Sequence, residues 1–284
     1  MFNRIIVPVD GSNSAWRAVV VGSHLATQCD ATLELFHAFD DASLASRVER
    51  ALHQRLTDES IGPASPIVRA EPHFHGIATA IADRLESAND GIVVMSSHGH
   101  GRSAGILGSV ATDVVRASFG PIVVVGPHAK IDRPNFRGSL VVAVDGSPLS
   151  ETAIGVAGAW SIGLGAVPWI TTVIATGGMG HHDTVESGYT HQLAHRLERL
   201  TRRPVEFEVV HGGDPGLALA NFAAEVDASL IVASTHGRTG AARVAFGSVT
   251  AGIVRHASCP VVMLRPPSLP RPWPANAARA GLTN

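Results

Sequence analysis

Lysine is almost absent from this chain: Lys130 stands alone against 21 arginines. That scarcity excludes a GxxxxGK phosphate loop, which needs its lysine at the phosphates, and leaves Schiff-base chemistry one candidate in a connecting segment. Cysteine is nearly as rare. Cys29 and Cys259 stand at unrelated places, so two free thiols in a reducing cytoplasm are expected. Net charge is missing as well: a formal −2 at pH 7 gives no electrostatic reason for nucleic acid or an anionic membrane as partner. No apolar run approaches the roughly 20 residues of a membrane span. Met1-Phe2-Asn3-Arg4 leads directly into a short strand pattern, so no signal peptide is expected. What is present is 45% hydrophobic and 16% charged residues over 284 positions. That composition describes a soluble globular chain about two domains long, each able to bury a core.

The chain repeats itself. Ile6-Val7-Pro8-Val9-Asp10-Gly11-Ser12 is echoed by Val141-Val142-Ala143-Val144-Asp145-Gly146-Ser147, an offset of 135. Ser96-Ser97-His98-Gly99, followed by Gly108-Ser109-Val110, is echoed by Ser234-Thr235-His236-Gly237 and Gly247-Ser248-Val249, at offsets of 138 and 139. Two separate motifs at one steady offset indicate a duplicated domain. The expected division is 1–126 and 139–265, with 127–138 between them and a Pro-rich flexible tail over 266–284.

Within each copy, short β-branched runs alternate with stretches of helical period. Ile5–Val9, Thr32–Phe36, Ile67–Ala70, Gly91–Met95 and Pro121–Val125 are expected strands; Ser14–Thr27, Leu44–Leu56, Ile77–Ser87 and Ser109–Ala117 are expected helices. The second copy repeats the order, with a helix expected over Leu149–Ile162. Alternation of this kind implies right-handed βαβ crossovers. The fold class is therefore α/β: two tandem doubly wound, Rossmann-like domains, each a five-stranded parallel sheet with helices on both faces. In such sheets ligands sit beyond the carboxyl ends of the strands, at the switch in strand order. Asp10 and Asp145 end the first strands, and the glycine loops follow the fourth. If those strands are neighbours, each aspartate faces a loop across one crevice. Glycines let backbone N–H groups approach an anion, and helices starting at Ser109 and Ser248 add a favourable dipole. An aspartate repels phosphate, so it is expected to meet the donors of a base or ribose.

At these residues the chain resembles the universal stress proteins of the ATP-binding, tandem kind. Their signature is Gly, two residues, Gly, nine residues, then Gly-Ser or Gly-Thr, with an aspartate ending the first strand. The second copy has nine residues between Gly237 and Gly247; the first has eight between Gly99 and Gly108, and Ser96 and Ser234 replace the leading glycine. The resemblance implies an adenine nucleotide site in each copy, with ATP, alone or with Mg2+, as ligand. In the first copy it would use Pro8, Val9, Asp10, Ser12, Ala38, Met95, Ser96, His98, Gly99, Gly108, Ser109 and Val110. In the second it would use Ala143, Val144, Asp145, Ser147, Val173, Ala233, Ser234, His236, Gly237, Arg238, Gly247, Ser248 and Val249. The complete spacing, with Arg238 and Arg243 inside the loop, makes the second domain the expected stronger site. Family members pair through the last strand, here Pro121–Val125 and Pro260–Leu264. The resemblance thus implies internal pairing of the two domains, with a homodimer of chains as a further arrangement.

Other features lead nowhere specific. His73-Phe74-His75, His98-Gly99-His100 and His181-His182-Asp183 lack partners at metal-ligand spacings, and no metal is expected. The serines of Asp10-Gly11-Ser12 and Asp145-Gly146-Ser147 are expected to make a turn and a helix N-cap, and no recurrent histidine is expected to join them. Gly99-His100-Gly101 lacks GxGxxG spacing. Arg199, Arg202 and Arg203 suit a solvated helix end. With no catalytic residue assigned, the expected function is nucleotide-dependent regulation in a stress response in the cytoplasm, with at most slow ATP turnover. The alternatives are a partner-binding module with drifted pockets and an enzyme that activates its substrate with ATP, although no SGGxDS or HxGH motif supports the latter.

Overall fold

A computed structural model describes residues 2–39, 44–73, 75–88, 90–99, 107–118, 120–132, 134–174, 182–236 and 247–266. The first half runs β1 (Arg4–Pro8), α1 (Asn13–Cys29), β2 (Thr32–Phe39), α2 (Ala45–Asp58), β3 (Ile67–Pro72), α3 (Ile77–Ser87), β4 (Gly91–Ser96), α4 (Ser109–Ala117) and β5 (Ile122–Val125). The second repeats it as β6 (Ser139–Ala143), α5 (Thr152–Leu164), β7 (Val167–Ile174), α6 (His182–Thr201), β8 (Glu206–His211), α7 (Pro215–Glu225), β9 (Ala228–Ser234), α8 (Ser248–His256) and β10 (Val261–Leu264). Ile5, Ile6 and Val7 of β1 are fully buried, as unbroken apolar runs must be when helices cover both faces of a parallel strand.

The two five-stranded halves join edge to edge into one sheet, in the order β3-β2-β1-β4-β5-β10-β9-β6-β7-β8, with the internal pairing through the last strands that the family resemblance implies. Each half is parallel within itself. The halves meet where β5 and β10 pair antiparallel, Val261 with Val124 and Met263 with Ile122. Both strands are short runs of buried aliphatic residues, and pairing them removes two exposed edges. One core lies between the sheet and α1, α2, α5 and α6, holding Trp16, Leu25, Leu52, Trp160 and Leu197. The other lies under α3, α4, α7 and α8, with Ile81, Val114, Phe222 and Ile253. Because the halves run antiparallel, the carboxyl ends of β1 and β4 open at one end of the sheet and those of β6 and β9 at the other.

The stretch between β5 and β6 is fastened along its length. Arg17 donates to Gly126 O (3.1 Å) and Ala129 O (2.6 Å), and Gln28 both donates to Pro134 O and accepts from Phe136 N. Phe136 is buried and meets Trp160 edge-on at 6.0 Å. Two helix starts differ from the sequence expectation. Helix α5 begins at Thr152 instead of Leu149, because Ser147 and Ser150 close a hydroxyl-bonded turn first. Helix α7, expected over Leu217–Ala224 from its hydrophobic period, begins earlier, at Pro215, because Asp214 caps Gly216 N and Leu217 N. The expected tail over 266–284 lies outside the described residues beyond Pro266. No helix among the described residues is long and apolar enough to cross a membrane.

Candidate functional site

β1 and β4 are neighbours, so Asp10 and the loop after β4 face each other at the switch in strand order. Gly11 and Gly146 have φ of +84° and +81°, a conformation that favours glycine. That turn lets Ser12 N donate to Asp10 Oδ1 (2.9 Å), while Ser12 Oγ caps α1 by accepting from Ala15 N (3.0 Å). In the second copy Asp145 Oδ1 accepts from both Ser147 N (3.0 Å) and Ser147 Oγ (2.6 Å). Ser147 does not cap α5, contrary to expectation: its Oγ accepts from Ser150 N inside the preceding turn. Behind each aspartate a side chain secures the carbonyl just past the end of the strand. His37 Nδ1 lies 2.6 Å from Val9 O, and Thr172 Oγ1 donates to Val144 O at 2.7 Å.

The loops are drawn in at their bases the same way twice: Gly108 N donates to Ser97 O and Gly247 N to Thr235 O, each at 2.8 Å. Ser96 Oγ donates to His98 O (2.7 Å), so the serine replacing the family's leading glycine shapes the loop. Ser97 Oγ and Thr235 Oγ1 hold His98 Nδ1 and His236 Nδ1 at 3.0 and 2.9 Å. Gly99 lies so close to Asp10 that a Cβ there would run into the carboxylate. Gly108 and Gly247 have φ of −66° and −68°, ordinary extended backbone rather than the positive φ that glycine alone makes easy. They precede α4 and α8 with no side-chain cap, and the first N–H groups of an α-helix have no partner within it. The amides of Ser109, Val110 and Ala111 are thus available to an anion, with the helix dipole behind them.

A cavity of about 440 Å³ fills the first crevice. Of the residues expected there, all line it but Ser12, which is turned into the cap of α1. A cavity of about 230 Å³ occupies the second and is lined by every expected residue except Ser147, Gly237 and Arg238. Ser147 is held within its turn, and the other two lie outside the described residues, as does Arg243. His98 shares the first cavity with Asp10, and His236 the second with Asp145, although no histidine stands near either aspartate in the sequence. The loop brings them in from a distant part of the chain. The sequence reading missed the apolar wall given by Phe36, Ile77 and Ile81, and in the second crevice by Pro215, Leu219 and Ile253. The i, i+4 spacing of Ile77 and Ile81 marks an apolar face of an expected helix, but not the crevice that the face lines. Among the described residues, no group of three or more His, Cys, Asp or Glu is placed to hold a metal ion. Cys29 and Cys259 are free; burial, with the Asp227 charge, pushes the Cys259 thiol up to about 12.

The model of the Universal stress protein family matches this sequence twice, over residues 1–126 and 137–265. The chain belongs to the universal stress protein family. A universal stress protein of Mycolicibacterium smegmatis is 27% identical over 298 aligned positions, covering 92% of this chain and 97% of the relative. One from Mycobacterium tuberculosis is 29% identical over 223, covering 74% of each. Among solved structures, a universal stress protein from Archaeoglobus fulgidus superposes with a TM-score of 0.66 at 16% identity, over 93% of this chain and 98% of its own. That likeness concerns the fold, and it spans both halves of this tandem universal stress protein.

Proposed function

We propose that this universal stress protein binds adenine nucleotides in its two crevices and acts as a nucleotide-dependent regulator. The observation that carries the reading is the two-ended chemistry of each crevice. One wall is apolar and ends in a carboxylate; the other is a glycine loop leading to an uncapped helix start. A nucleoside suits the first and phosphates the second. Asp10 and Asp145 take donors of the base or ribose. Ser109, Ser248 and the amides after Gly108 and Gly247 take phosphate oxygens. Mg2+, where present, arrives with the phosphates of ATP. The reading assigns binding rather than vigorous hydrolysis, because among the described residues no nucleophile, base and metal-carboxylate set accompanies the phosphate end.

Volume ranks the first crevice ahead, since about 440 Å³ falls within the usual range for ligand pockets and about 230 Å³ falls below it. Loop length and pre-organisation rank the second ahead: nine residues between its glycines and two donors already on Asp145. Affinity follows well-aimed charged hydrogen bonds more than area, so the proposal keeps domain 2 as the tighter ATP site. Native mass spectrometry of the purified chain, followed by calorimetric titration with ATP, tests the reading. Co-purified or titratable adenine nucleotide is expected. A chain that takes up none at millimolar ATP would instead be a partner-binding member of the fold.

A further inference from the structure

The duplication gives one chain two crevices of one plan, and they differ in room, about 440 against about 230 Å³. Three alanines lining the first are replaced by larger residues lining the second: Ala15 by Ser150, Ala38 by Val173 and Ala111 by Thr250. Shared contacts fix the equivalences. Ala15 N donates to Ser12 Oγ as Ser150 N donates to Ser147 Oγ. Val9 N donates to Phe36 O as Val144 N donates to Thr171 O, two residues before Ala38 and Val173. Ala111 and Thr250 each follow the loop-closing glycine by three residues. Ser150 and Thr250 turn their hydroxyls to Ser147 O and Ser234 O, so they fill space without presenting a donor to a ligand. The exchange of Met95 for Ala233 runs in the opposite sense. Val173 stands on the apolar wall, where the base would lie.

We infer that the two crevices have diverged in the size of nucleotide they admit: the first accepts adenine enlarged by an apolar substituent, the second only the unsubstituted base, and the Ala38/Val173 difference sets the limit. The inference rests on the nucleotide reading above. Its physical basis is that a close-packed wall does not yield readily to added methyl groups, and a methylene in an apolar pocket changes selectivity by about 10–200-fold.

The test is calorimetric titration of the full chain with ATP and with N6-benzyl-ATP. In the wild type the analogue should occupy one crevice, and that binding should persist in Gly247→Val and vanish in Gly108→Val. Ala38→Val should lower the ratio of analogue to ATP affinity at the first crevice at least tenfold. Val173→Ala should create a second analogue site. Valine is compatible with the fold at 38, since Val173 holds the equivalent place, and the reciprocal variant provides an independent arm. Equal analogue binding at both crevices, refusal by both while ATP binds, or a ratio unmoved by the two exchanges would overturn the inference and leave the nucleotide reading standing. Failure of both ATP and the analogue to bind would overturn both.

Discussion

Glu34 of β2 has a side chain with no solvent exposure, and three arginines reach it. Arg84 donates Nε to Oε1 (2.6 Å) and NH2 to Oε2 (2.7 Å), Arg4 donates to Oε2 (2.7 Å), and Arg69 lies 3.6 Å away. Burial by itself would raise this carboxyl, but the hydrogen bonds from Arg84 and Arg4 outweigh it and hold Glu34 below the usual range. A lowered folded value means stability that is present above the unfolded value of about 4.3 and lost as pH falls through the folded one. In the second half the equivalent places hold Trp169 and Phe222, packed edge-on at 5.6 Å. One location thus tolerates an ion cluster or an aromatic pair. Glu34→Leu should cost about 2–3 kcal/mol, less than a fully buried pair because Arg4 and Arg69 reach solvent. Glu34→Leu with Arg84→Leu should be more stable than Glu34→Leu alone, since no half-buried guanidinium is then left without its carboxylate. Urea melts at pH 7 of the singles and the double check this, and additive losses would refute it. At the candidate site, Asp145→Ala should weaken ATP and adenosine alike by about 1–3 kcal/mol. Weaker ATP with unchanged adenosine would move Asp145 to the phosphate end.

Helices α4 and α8 join the loops to the cores, and the glycine before each offers a clean probe. Among the described residues, a Cβ at Gly108 or Gly247 would meet nothing closer than 3.4 or 3.9 Å. The β-carbon of a substituted residue is therefore tolerated by the described protein atoms, and valine is expected to intrude where a phosphate would sit. Gly247→Val should remove most ATP binding, while Gly108→Val changes it less, by a gap of at least tenfold if one or two charged donors differ. Calorimetry of both variants ranks the crevices, and a larger loss from Gly108→Val would reverse the order. Most elements could be read from the sequence because their cause is local: the buried run Ile5-Ile6-Val7, the helical period of α3, the strand-loop-helix around Gly108. What escaped is non-local or chemical. Ser150 reverses onto Ser147 before α5 can start, and Asp214 with Pro215 begins α7 ahead of its apolar period. Ile77 and Ile81 were expected on a helix, yet nothing in sequence spacing aimed that helix at the crevice. The connecting segment looked like a spacer, yet Phe136 is buried against Trp160. Phe136→Ala should cost about 3–4 kcal/mol and shift a thermal melt accordingly.

The whole molecule depends on the antiparallel β5–β10 seam, which strand patterning alone did not reveal; it was expected only from family resemblance. Cutting the chain there exposes the Ile122–Val125 edge, four buried aliphatic residues. Residues 1–126 alone should therefore self-associate through β5, seen as a dimer by analytical ultracentrifugation, because an unpaired apolar edge recruits another. A monodisperse monomer of that fragment would show that the seam is not what hides the edge. The seam also turns the two crevices away from each other. Between them lie four strand spacings, roughly 19 Å sideways, and they open at opposite rims. A ligand in one mouth cannot touch a ligand in the other, and a protein docked over one rim leaves the other open to approach. Two visitors could thus read the same chain at once and never meet, so that what the chain joins it also holds apart.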